Sequence, residues 1–84
     1  MILTYEEAKE ALRAYDEDKE MIERLIKSAE EYLLNTTGKK WGEEPINPVA
    51  KLTATYLLMK WFEGTDEYDK TINGLLTVLT PMAR

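Results

Sequence analysis

Neither cysteine nor histidine occurs anywhere in this 84-residue chain, which closes most of the routes by which so small a domain is held together. At this size an apolar core supplies only ~3–5 kcal/mol net, and small folds commonly add a disulfide, a structural metal or a partner subunit. Without Cys and His there are no disulfides, no Cys/His zinc site, no iron–sulfur cluster and no haem with His or Cys ligation. Ser-His-Asp and Cys-His nucleophilic catalysis go with them. Close helix packing, association with other chains, or both remain. No cofactor is expected.

Charge narrows the partners. Eleven basic residues stand against 16 acidic ones, a formal net charge of −5. Such a chain is repelled by nucleic-acid phosphates and anionic membranes. The excess is local: residues 1–37 hold 10 acids and 5 bases, whereas residues 38–84 hold 6 of each. A 44% hydrophobic content is too high for a disordered chain. No apolar run approaches the roughly 18 residues of a membrane span, so no membrane partner is expected. Met1–Glu7 lacks the basic start of a signal peptide, which points to an intracellular product unless an assembly carries it out.

Periodicity and capping signals predict a single all-α domain over residues 1–84, a small bundle of two long and two short helices. The first segment, Thr4–Leu12, opens with the capping box Thr4/Glu7 and presents Ala8, Ala11 and Leu12 on one face. The second runs from about Glu17 to Thr37, with Asp16 as the expected N-cap and Gly38 as the terminating residue. Its expected core stripe is Ile22, Leu25, Ile26, Ala29, Tyr32, Leu33 and Thr36. The third opens on Asn47–Pro48, an N-cap followed by proline at the first helical position, and ends near Glu63–Gly64. From Val49 to Phe62 it is apolar almost all the way round, which predicts the central helix of the bundle, with a surface left over for another subunit. The fourth, Lys70–Leu79, has helical spacing at Ile72, Leu75, Leu76 and Leu79 but many poor helix formers. Asn73–Gly74 would also suit a hairpin turn, yet the residues before it make a poor strand, so a helix stabilised by docking is expected.

No cluster of residues points to catalysis. Asp16, Glu17, Asp18 and Glu20 lack the spacing of a calcium loop and suit a helix N-terminus. The glutamates of the second helix lack the histidines of a di-iron site. Lys39-Lys40-Trp41 is the one basic–aromatic cluster, and a tryptophan there is expected to cover the end of the core. No phosphate-binding glycine loop or serine elbow is present, so an enzyme is not expected. Leu34, on an otherwise charged helix side, and Trp61 at the end of the third helix are expected as lateral subunit contacts.

The order of these segments resembles the small head–tail connector (adaptor) proteins of tailed bacteriophages and prophages over essentially the whole chain. The residues that carry the resemblance are Leu3-Thr4-Tyr5-Glu6-Glu7-Ala8-Lys9 leading to Leu12-Arg13, and Leu25 to Leu33 closing on Thr37-Gly38-Lys39. Pro48 then opens an apolar helix ending Lys60-Trp61-Phe62-Glu63, and Gly74-Leu75-Leu76 precedes Leu79. The resemblance implies a virion structural protein at the head–tail interface, present in the bacterial host cytoplasm during assembly. Copies would form a ring on the portal protein, extend the DNA channel, and dock a stopper or tail-completion protein. It further implies that Ile72, Leu75, Leu76, Leu79 and the tail to Arg84 contact the portal or neighbouring subunits. Some of the acidic residues Glu17, Asp18, Glu20 and Glu23 are expected to face the channel, where double-stranded DNA would pass without specific binding. The competing expectation is a small helical protein-binding module or regulator acting as a monomer or dimer.

Overall fold

Thr4 starts the first helix as its capping box requires. Its hydroxyl accepts the Glu7 amide at 3.1 Å, and the Glu7 carboxylate accepts the Thr4 amide at 3.0 Å. The computed structural model describes residues 1–83 and contains four helices: α1 (Tyr5–Leu12), α2 (Lys19–Thr37), α3 (Pro48–Glu63) and α4 (Asp69–Met82). No strand forms among the described residues. The thinnest dimension, 18 Å, is about two helix diameters, so the helices lie in two layers.

Helix α3 is the hub. It packs on α1, α2 and α4, whereas α1 and α4 do not touch. Its Ala50, Thr53, Ala54, Leu57 and Leu58 are buried, and small side chains at three of those positions let neighbouring helices come close. Thr53 is wholly buried, and its hydroxyl gives its hydrogen to the Val49 carbonyl at 2.7 Å. Thr55, Thr77 and Thr80 bond back to the carbonyl four residues earlier in the same way, so each hydroxyl finds its acceptor within its own helix. Two ion pairs tie α3 to its neighbours: Lys51 with Glu7 of α1, and Lys60 with Asp69 of α4.

The helix ends follow local chemistry. Asn47 Oδ1 accepts the amides of Val49 and Ala50 at 2.8 and 3.1 Å, with Pro48 at the first helical position. Gly38 and Gly64 close α2 and α3 in the left-handed region, at φ 82° and 66°. Arg13 closes α1 at φ 53°, a conformation that glycine takes more readily.

Three expectations need correction, and one feature of the core was not foreseen. Asp16 does not cap α2; it lies in a 3₁₀ turn, Asp16–Asp18, and pairs with Lys9 of α1. The nearby lysine outcompetes the helix end for its carboxylate. The core stripe of α2 is narrower than expected: Ile22, Ile26, Ala29 and Leu33 are buried, Leu25 is half-buried, and Tyr32 and Thr36 are exposed. Helix α4 is 14 residues long and not one of the short ones. It continues through Pro81 into its last turn, where the Thr80 hydroxyl holds the Leu76 carbonyl and the Ala83 amide closes on Leu79. Finally, Ile2 and Leu3, outside every helix, are core residues at 1% and 3% exposure. Leu3 and Ala8 occupy the two positions of a hydrophobic staple around the α1 cap.

Candidate assembly surface

Trp41 plugs the end of the core. It is 5% exposed, its indole N–H donates to Thr37 Oγ1 at 2.9 Å, and Lys39 Nζ lies 4.6 Å from its ring centroid. The loop carrying it, with Gly42 and Glu43, folds back beside α2. Leu34 therefore sits half-buried in a groove with Lys27, Glu30, Glu31, Lys40 and Trp41, not as a lone leucine on a charged face. Trp61, also half-buried, lies edge-on to Tyr32 with centroids 6.0 Å apart and planes at 75°. The groove beside that pair is bordered again by Lys27 and Glu31. The fold thus brings Leu34 and Trp61 to either side of one Lys27–Glu31 strip on α2.

The four acids lie around the start of α2. Asp18 is half-buried and its carboxylate accepts the Tyr15 amide at 3.3 Å. Glu20 pairs with Arg24 at 2.8 Å. Glu17 and Glu23 are exposed, and neither forms an ion pair among the described residues. No group of three or more acids is placed to hold a metal ion among the described residues.

Two carboxyls have shifted titration. Glu7 is held below the usual carboxylate range, first by the Lys51 ammonium and then by the Thr4 amide. Asp16 is lowered by Lys9. The largest cause of each shift is a lysine brought in from another part of the chain, so both report on the packing of α1 against its neighbours.

The residues expected on α4 divide. Ile72 and Leu79, at 3% and 0% exposure, belong to the core and have no surface to offer a partner in this conformation. They face α3 because a helix that docks must turn its best apolar pair inward. Leu75 and Leu76 are half-buried at the edge of that contact, and Arg84 lies outside the described residues. The side chains that do project from α4 are Val78, 51% exposed, and Met82, 43% exposed. With Thr71 and Leu75 they form one stripe at i, i+4, i+7 and i+11. On α3, Leu52 is 46% exposed, and Met59 and Phe62 on the same outward side are half-buried.

Sequence reasoning did not single out Val78 or Leu52, and it included Met82 only as part of the tail to Arg84. Residues 71–83 contain no charge at all, in a chain that is 32% charged. The exposed positions of this stretch combine the polar Thr71, Asn73 and Thr77 with the apolar Val78 and Met82. No family model matches this chain, and neither a curated protein nor a solved structure matches it.

Proposed function

We propose that this chain is a head–tail connector of a tailed phage or prophage, which assembles as a ring on the portal and prolongs the DNA channel toward the stopper or tail proteins. The observation that carries the reading is the presence of three exposed large apolar side chains, Leu52 on α3 and Val78 and Met82 on α4, on an otherwise acidic protein. A surface of that kind favours lasting contact with another protein, and function then resides in assembly and not in turnover. The order of helices and of their closing residues adds the resemblance to connectors.

In this reading Glu17 and Glu23, with Glu20 and Asp18 beside them, turn toward the lumen. Carboxylates on a channel wall repel the DNA backbone, so that the duplex slides instead of adhering. Leu34 and Trp61, flanking the Lys27–Glu31 strip, serve as lateral contacts between subunits.

The test is the native mass of the purified protein over a concentration series, with negative-stain imaging of the largest species. Closed rings are the expected result. Discrete dimers with nothing larger would favour a small binding module instead.

A further inference from the structure

The chain has three asparagines, and the residue after each decides whether its side chain can react with its own backbone. In that reaction the amide nitrogen of the next residue attacks the side-chain carbonyl carbon. Asn47 precedes Pro48, which has no N–H to lose. Asn35 precedes Thr36, whose branched Cβ crowds the nitrogen. Asn73 precedes Gly74, where no Cβ stands in the way. The surroundings are open as well: a Cβ built on Gly74 would meet nothing within 4 Å.

Asn73 is exposed. The Thr77 hydroxyl bonds to its main-chain carbonyl at 2.9 Å, and its carboxamide has no hydrogen-bond partner among the described residues. What withholds the reaction is the helix. Beyond the first turn of α4 the Gly74 amide is committed to the carbonyl four residues back, and helical ψ of about −42° holds its nitrogen away from the Asn73 side chain. The second turn of α4 must therefore open first. Little holds it shut: Thr71, Asn73 and Gly74 are weak helix formers, and Ile72 is the one buried residue from 71 to 74.

We propose that Asn73 and Gly74 form a self-modification site that reacts when this turn of α4 opens. The Gly74 nitrogen gives up its proton and bonds to the Asn73 side-chain carbonyl carbon. The bond from that carbon to the side-chain nitrogen breaks, and ammonia leaves with the proton. The resulting five-membered imide takes up water and opens at one of its two carbonyls, to aspartate or to isoaspartate. Either product places a carboxylate within residues 71–83, which carry no charge. Isoaspartate also routes the backbone through Cβ, and the lengthened main chain cannot rejoin the helical ladder in register. A transient opening of α4 is thereby made permanent. The chemistry is independent of whether the chain forms rings.

Peptide mapping after ageing at mildly alkaline pH, with fragmentation that tells isoaspartate from aspartate, tests it on folded and urea-unfolded protein. In urea, wild type should convert at Asn73 well before Asn35, and Gly74→Ala should slow conversion about ten-fold or more. In the folded protein Asn73 should convert more slowly than in urea. There Ile72→Val should speed it about 2- to 10-fold, because trimming the anchor favours the open turn. Leu12→Val, in a helix that does not touch α4, should not speed it. Equal rates in folded and unfolded wild type, or equal acceleration by both variants, overturn the opening of α4 as the gate. No conversion at Asn73 in folded Ile72→Val over many half-lives of the unfolded chain overturns the site itself.

Discussion

The Thr37 hydroxyl receives the Trp41 indole N–H at 2.9 Å while giving its own hydrogen to the Leu33 carbonyl at 2.7 Å. One side chain thus closes the last turn of α2 and fastens the tryptophan that seals the core. Thr37→Val keeps the shape but leaves a buried indole donor without its acceptor. The expected loss is about 1–3 kcal/mol. Urea unfolding followed by tryptophan fluorescence would measure it, and Thr37→Ser should retain most of the stability.

Arg13 offers the opposite sign. It holds φ 53° at the end of α1, where a side chain is strained and glycine is not. Arg13→Gly is expected to stabilise the protein by about 0.5–1 kcal/mol, with part of the gain lost to the freer unfolded chain. A lower urea midpoint in the variant would refute the strain.

Much of this architecture is legible in the sequence where a residue has one physical use. Thr4/Glu7, Asn47–Pro48, Gly38 and Gly64 mark helix ends through hydrogen-bond chemistry that acts within a few residues, and each end falls where that chemistry puts it. Asp16 misleads because its partner, Lys9, is brought close only by the turn between α1 and α2. The faces of α4 mislead for a different reason. Inward and outward sides of a helix are told apart by the polar residues on the outside, and residues 71–83 contain no charge to mark it. The spacing of Ile72 and Leu79 marks a docking face, whereas the resemblance to connectors offers them as interface residues, and docking covers both.

Acid should loosen the contact between α1 and α3. Glu7 titrates lower in the folded protein than in the unfolded chain, so its contribution is fully present above the unfolded value of about 4.3. It is lost as pH falls through the lower, folded value, and Asp16 behaves alike. Glu7→Gln should flatten the decline of the unfolding midpoint below about pH 4 and leave the neutral-pH slope unchanged. Added salt should shrink the difference between variant and wild type, since both partners are partly solvated. An unchanged acid limb in the variant would remove Glu7 from the account.

Charge reversal separates the channel from the fold. Glu17→Lys with Glu23→Lys alters two exposed carboxylates that form no ion pair among the described residues, so the melting midpoint should barely move. If these residues face passing DNA, particles built with the double variant should eject or admit DNA poorly, and the loss should ease at high salt. Unchanged infectivity would remove the acids from the channel wall.

Because α1 and α4 each pack on both α2 and α3 and never on each other, any coupling between the two ends of the chain has to pass through those shared helices. Damage to one should add to damage at the other without amplifying it. A double-mutant cycle between Leu12→Ala and Leu79→Ala would then close near zero coupling. A load applied to α4 would therefore reach α1 only by way of α2 and α3, so the effect of any partner gripping that edge fades across the central pair of helices.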